Sequence, residues 1–336
     1  MDHTAELRQR VEEFGKNFSK AQEVISKIFL GQPQLVTHTL LAFLCNGHVL
    51  LEGLPGLGKT LLAETLSKVL AISCSRIQAT PDLMPADILG TNVLWKGGDG
   101  ALNLRYEKGP IFADMVLVDE INRATPRTQS ALLQAMQEKK VTVFGITHPL
   151  PEHFMVIATQ NPIEMEGTYP LPEAQLDRFF FKLIVEFPNL ATLMDIGRNS
   201  SQWQKSEVPA VWTQETIRSM KATLNEVCIA DPILEYASQM ILNSHPNAAK
   251  AIPLVKKYVM YGASPRGLQA LVQAAKVHSL LAGRVHVARE DFNEILMPSL
   301  QHRLILKYEA EAEGIHPQEI ILNIQEHCIN HTREKI

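Results

Sequence analysis

Gly53-Leu54-Pro55-Gly56-Leu57-Gly58-Lys59-Thr60 is the segment whose residue types and spacing imply chemistry most directly. It is a G-x-x-x-x-G-K-[ST] run between the apolar stretch His48 to Leu51 and Leu61-Leu62-Ala63-Glu64-Thr65-Leu66, whose apolar spacing predicts a helix. Strand, glycine-rich turn and helix in that order make such a run a phosphate cradle. The glycines let the backbone bend until amide N–H groups converge on an anion, and the helix N-terminus adds positive potential. Residues Gly53 through Leu61 are therefore the candidate nucleotide-binding segment. Within it, the Lys59 ammonium is expected to reach the β- and γ-phosphates and the Thr60 hydroxyl to ligate Mg²⁺.

Such a loop needs acids at a neighbouring strand tip. Met115-Val116-Leu117-Val118 is uninterrupted in its apolarity, which predicts a parallel strand buried on both faces, and it ends at Asp119-Glu120. Asp119 is the expected Mg²⁺ ligand, directly or through water, and Glu120 the residue that orients and polarises the attacking water. Phe154 to Thr159 predicts another buried strand, ending at Gln160-Asn161-Pro162. In a parallel sheet that tip opens onto the same crevice, where the Asn161 amide could bond the γ-phosphate or the water. Alone, an Asn before Pro would read as a simple turn.

Two arginines complete the candidate set. Arg178 follows a short helical segment and precedes the last predicted strand. It offers the always-charged planar donor that phosphoryl transfer needs, or else a salt bridge to Asp177 or Glu173. Arg266, after Pro265, opens a helix in the second half of the chain, from which it could span a cleft to the nucleotide or simply be solvated.

The elements that must position these residues read as an α/β pattern. Residues 5–30 are helical in spacing, Gly31-Gln32-Pro33 stops that helix, and Leu35 to Leu44 restarts one. Strands are expected at 48–52, Ser75 to Ala79 and Phe179 to Val185, with a short helix over 81–89 and a longer one over 124–139. Asn92–Trp95 and Ala101–Tyr106 around Lys96-Gly97-Gly98-Asp99-Gly100 predict an inserted β-hairpin. A second hairpin is expected at 141–150, turning at Phe144-Gly145. Beyond Pro188 the strand signals stop and helical patterns follow one another, which divides the chain into 1–187 and 188–336.

The chain has 336 residues, 46% apolar and 20% charged, with a net charge of −4, enough for two cored domains. The mild acidity gives no global reason to bind nucleic acid. Four scattered cysteines (Cys45, Cys74, Cys228, Cys328) are without metal or disulfide-framework spacing. They suit reduced thiols in a cytoplasmic protein. The N-terminus lacks a signal-peptide layout, and the lipophilic run Leu35 to Leu51 is broken by His38, Asn46, Gly47 and His48, so no membrane insertion is expected. His327, Cys328 and His331 lack the accompanying pattern of a metal site.

In order, Gly53–Thr60, Asp119-Glu120, Asn161, Arg178 and Arg266 resemble the Walker A, Walker B, sensor 1, arginine finger and sensor 2 positions of AAA+ ATPases. The two hairpins are similar to those of the helix-2-insert group. Asp119–Ala124, Ala158–Pro162, Gly167–Phe179, Tyr261–Arg266 and Leu306–Ala312 resemble the MoxR subfamily in particular. The resemblance implies a parallel five-stranded α/β core with hairpin insertions, followed by an all-α lid. It also implies ATP and Mg²⁺ as ligands and ATP hydrolysis in a homo-oligomeric, hexameric ring. Arg178 is then expected to act in trans on a neighbour's γ-phosphate and Arg266 in cis, with Arg123 facing the neighbour. It implies a chaperone-like motor for a protein client, with a partner bearing a von Willebrand factor A domain. The alternatives are a nucleotide-gated scaffold with little turnover, the ATPase subunit of a magnesium chelatase, or a nucleic-acid remodeller using Trp95, Lys96, Arg105, Tyr106 and Lys108 of the first hairpin.

Overall fold

The computed structural model describes residues 3–96, 102–163, 167–199 and 207–333. In chain order these form α1 (His3–Ile28), α2 (Pro33–Leu44), β1 (Val49–Glu52), α3 (Lys59–Val69), β2 (Cys74–Gln78) and α4 (Pro85–Leu89). There follow β3 (Gly90–Lys96), β4 (Leu102–Lys108), β5 (Met115–Asp119), α5 (Pro126–Glu138), β6 (Lys140–Val143), β7 (Ile146–Pro149) and β8 (Met155–Gln160). Next come α6 (Glu173–Leu176), β9 (Phe181–Ile184), α7 (Leu190–Asn199), α8 (Gln214–Asn225), α9 (Asp231–Asn243), α10 (Pro253–Tyr258) and β10 (Val259–Tyr261). The chain closes with α11 (Pro265–Leu281), α12 (Leu296–Leu300), β11 (Ile305–Leu306), α13 (Tyr308–Ala312) and α14 (Pro317–Arg333).

Five of the strands form one parallel sheet in the order β2-β5-β8-β1-β9. β5 is buried along its whole length, and β8 along all but its last residue, as continuous apolar runs require. Alternate residues serve opposite faces. Leu50, Val116, Val118, Val156 and Ala158 meet Leu132, Leu133 and Met136 of α5. Val49, Leu51, Leu117, Ile157 and Phe181 join a core shared with α1, α2, α3 and the lid. Fully burying one such side chain is worth about 1.5–3 kcal/mol, so the sheet and its strand tips are a rigid platform.

Both expected hairpins are present. β3 and β4 pair from Gly90↔Lys108 to Lys96↔Leu102, and the expected turn at 97–100 lies outside the described residues. β6 and β7 turn through Phe144 and Gly145, whose φ angles of 50° and 80° match the twist of an antiparallel pair. The hairpins meet where the Tyr106 ring stacks on His148 at 4.4 Å.

The C-terminal half is helical, as expected, with a short ladder of β10 on β11 that helical periodicity did not signal. Helix α1 ties the halves together. The Arg10 guanidinium donates to both carboxylate oxygens of Glu226 at 2.7 and 2.6 Å. The Trp212 indole donates to the Asn17 carbonyl at 3.0 Å.

Candidate functional site

The sequence places the glycine-rich loop where β1 ends, and the structure shows why small residues are needed there. A Cβ on Gly53 would fall 2.8 Å from the Val185 carbonyl oxygen. Gly56 and Gly58 have φ of 81° and 79°, the left-handed region that favours glycine. Gly58 precedes α3 without a side-chain cap, so the first N–H groups of that helix are left to an external acceptor. The Lys59 Nζ donates to the Gly53 carbonyl at 2.6 Å, which curls the ammonium back across its own loop. Thr60 lies in the first turn of α3, partly buried.

At the tip of β5, Asp119 is 7% exposed. One carboxylate oxygen accepts from the Arg76 Nε at 2.7 Å, the other from the Thr159 hydroxyl at 3.4 Å. Glu120 turns out of the strand with φ 56° and ψ 50°, and its N–H donates to the Thr159 hydroxyl oxygen at 2.9 Å. A non-glycine residue in this region carries strain of order 1–3 kcal/mol and is held there by its surroundings. Its carboxylate accepts from the Gln78 amide at 3.1 Å and lies 3.2 Å from the Arg123 Nε. Arg123 is thus an ion-pair partner of Glu120 within its own chain.

Sequence reasoning passed over Arg76, Gln78 and Thr159. Arg76 and Gln78 alternate along β2 and so share a face, a visible signal. That β2 lies against β5, with Gln78 opposite Asp119, is a matter of pairing that one strand's residues do not encode.

Asn161 stands at the tip of β8, next to β1, and is 3% exposed. Its Oδ1 accepts from the Ile163 N–H at 3.3 Å, while its buried Nδ2 has no hydrogen-bond partner among the described residues. Leaving a buried donor unpaired costs about 1–3 kcal/mol. An oriented, desolvated N–H at a phosphate crevice suits an anionic oxygen. Ammonium, uncapped helix N–H groups, hydroxyl, carboxylates and this orphaned amide match the donor set a nucleoside triphosphate with Mg²⁺ requires.

The arginines lie elsewhere. β9 pairs in parallel with β1 from Val49↔Phe181 to Glu52↔Ile184, so Arg178, just before β9, sits at the sheet end opposite the phosphate loop. Four residues of strand separate the two ends by about 13 Å. Its Nη1 donates to the Leu133 carbonyl at 2.8 Å. Arg266 was expected to face its own subunit's nucleotide, and the structure corrects this. Its Nη1 lies 3.5 Å from the Asp177 carboxylate, which brings it beside Arg178. The reason is that the start of α11 is fastened to the segment before β9 by the Ser264 hydroxyl, which donates to Asp177 at 2.7 Å. Arg178, Arg266, Arg303 and Lys139 line one cleft of 280 Å³ with Asn46 and Gly47. The cleft is rich in positive charge and lies away from the phosphate loop.

A parallel P-loop sheet with acids at the β5 tip, a polar sensor at the β8 tip and a helical lid defines the AAA+ class of nucleotide-binding proteins. The model of the ATPase family associated with various cellular activities (AAA) matches residues 48–181, and that of the AAA lid domain matches 253–324. The chain is 40% identical to Chaperone MoxR1 of Mycobacterium tuberculosis over 89% of its own length and 78% of that protein. It is 30% identical to Protein MoxR of Methylorubrum extorquens, covering 89% of this chain and 91% of that one. It superposes on the crystal structure of an inferred ATPase from Cytophaga hutchinsonii with a TM-score of 0.89 and 36% identity, across 96% of this chain and 97% of that one. The chain belongs to the MoxR family of AAA+ ATPases. Among the described residues, no helix is long and apolar enough to cross a membrane.

Proposed function

We propose that the protein hydrolyses ATP at junctions between copies of itself and uses the turnover to remodel a protein client. The observation that carries this reading is the placement of the phosphate loop and Arg178 at opposite ends of one sheet. A head-to-tail contact sets the arginine cleft of one copy against the phosphate loop of the next, and a heterologous contact of this kind closes into a ring. The ring is a hexamer in this proposal, by family likeness, and the protein cytoplasmic, by its cysteine usage.

In the proposed site, residues 53–61 enclose the triphosphate and Lys59 neutralises its β- and γ-oxygens. Thr60 and Asp119 would hold Mg²⁺, which when bound supplies further charge neutralisation. Glu120 orients the water for in-line attack, and Asn161 donates its spare N–H to the γ-phosphate or to that water. Arg178 of the adjacent copy stabilises the charge that develops on the transferred group. Arg266 enters from that same copy, because it shares the Arg178 cleft.

The chaperone-like role rests on family likeness and on exposed apolar side chains carried by the hairpins. Leu94, Trp95, Leu102 and Leu104 on β3–β4, and Phe144 and Ile146 on β6–β7, all stand in solvent. Clusters of this kind mark protein-contact surfaces. A partner with a von Willebrand factor A domain belongs to the proposal on family grounds. The test is specific ATPase activity across a protein dilution series. Activity that rises with concentration, in step with assembly measured by light scattering, supports a shared site. Equal specific activity at all concentrations, with monomers demonstrated, refutes it. A Glu120→Gln variant that binds ATP, assembles and still serves its client fully would replace the motor with a nucleotide-gated scaffold.

A further inference from the structure

We propose that Asp177 is the positioning residue through which the lid sets Arg178, so that lid orientation in one copy governs turnover in the next. This rests on the proposed action of Arg178 across a subunit junction. Asp177 belongs to the α/β core, yet its side chain is held by the lid. One carboxylate oxygen accepts from the Ser264 hydroxyl at 2.7 Å and from the Arg303 Nε at 3.0 Å. The other faces the Arg266 guanidinium at 3.5 Å.

The backbone on both sides of Arg178 is fastened to the same lid segment. β9 is an edge strand, so carbonyls on its outer side lack a sheet partner. Three consecutive lid residues donate to this edge, one to a carbonyl of β9 and the others to carbonyls of the segment just before it. Gln301 Nε2 donates to the Lys182 carbonyl at 2.7 Å and His302 Nε2 to the Phe179 carbonyl at 3.0 Å. Arg303 Nη2 donates to the carbonyls of Asp177 at 3.2 Å and Phe179 at 2.6 Å, and its Nη1 to those of Phe180 and Ser299. Arg303 is 6% exposed, and a guanidinium buried this deeply stays only where its donors are satisfied.

Arg178 itself is held lightly by comparison. Its Nη1 has the Leu133 carbonyl, and its buried Nε has no hydrogen-bond partner among the described residues. The residues before and after it are therefore fixed to the lid, while its head group stays adjustable. A rotation of the lid carries Asp177 and Phe179 with it and re-aims Arg178. Misplacement by an ångström in a positioned catalytic group can cost about 100-fold in rate.

Steady-state ATPase kinetics of the assembled protein test this with Asp177→Asn, which keeps the shape and removes the charge, and with Ser264→Ala, which removes the Ser264 bond to Asp177 together with the α11 cap on the Arg266 N–H and leaves Arg303 paired. Asp177→Asn is expected to lower kcat about 10- to 100-fold with KM and ADP affinity within about twofold. Ser264→Ala is expected to give a smaller loss of the same kind. The deciding measurement is the pairing with Arg178→Ala: if Asp177 acts through Arg178, the double variants turn over no more slowly than Arg178→Ala alone. Losses that multiply, or folded single variants with unchanged kcat, overturn the proposal. If Asp177→Asn fails to fold, the Ser264→Ala pair decides. Should Arg178→Ala keep full turnover in assembled protein, the action of Arg178 across the junction is itself wrong, and the positioning role falls with it.

Discussion

The Gln78 amide donates to the Glu120 carboxylate at 3.1 Å, and this bond draws the carboxylate toward the edge strand β2, on the far side of β5 from the phosphate loop. Releasing Glu120 from Gln78 should therefore leave it held by Arg123 and easier to turn toward water. A partly exposed hydrogen bond is worth about 0.5–1 kcal/mol net, so Gln78→Ala is expected to raise basal ATPase two- to fivefold. Glu120→Gln, by contrast, should keep nucleotide affinity and lose turnover by a factor of about 10² or more. A Gln78→Ala variant slower than wild type would mean that the bond aims Glu120 correctly.

Asn161 offers a sharper separation of stability from function. Its Nδ2 is buried without a hydrogen-bond partner among the described residues, so Asn161→Ala removes a desolvated donor along with the bond from Ile163. Those effects oppose each other, and the thermal midpoint should move by no more than about 2–4 °C. Turnover should fall by about 10²-fold, as expected when one donor to a developing oxyanion is lost. Calorimetry and ATPase assays on one preparation check both.

Lys59 and Arg178 should complement each other across copies. Lys59→Ala is expected to weaken ATP binding about 100-fold, since a charge-assisted contact to phosphate is worth about 1.5–3 kcal/mol and Lys59 makes more than one. Arg178→Ala should bind ATP normally and turn over about 10³-fold more slowly. In mixed rings, a site with intact Lys59 beside a copy with intact Arg178 is whole, and about a quarter of junctions in a random 1:1 mixture are of that kind. Activity recovered on mixing two inactive variants is the expected result; none, with mixed assembly demonstrated, contradicts sharing.

His48, just before β1, is buried, with its Nδ1 accepting from the Val156 N–H at 2.9 Å and its Nε2 facing the Met136 carbonyl at 3.2 Å. Burial, aided by the Lys139 charge, pushes its pKa from 6.5 down to about 4. Between those values the unfolded chain binds a proton that the fold refuses, so stability falls as pH drops from about 6.5 to 4. The shift corresponds to roughly 3 kcal/mol lost across that window. Urea unfolding at pH 7 and pH 4.5 should show a smaller loss in His48→Gln than in wild type.

What the sequence alone determined was local. A phosphate loop is specified by glycines, Lys59 and Thr60 within eight residues, and the β5 and β8 strand tips by apolar runs ending in Asp119-Glu120 and Asn161. Such signals survive without tertiary information because backbone sterics and burial on both faces act on contiguous residues. The tertiary structure decided which strand lies beside which, and through that the partners of every site residue. Arg76 reaches Asp119 across 43 positions, and Arg303 reaches Asp177 across 126. Arg266 came to rest beside Arg178, not at its own phosphate loop, because the lid docks on carbonyls of the edge strand β9 and of the segment just before it. That docking depends on unpaired groups left by the sheet order, which no periodicity along the chain records.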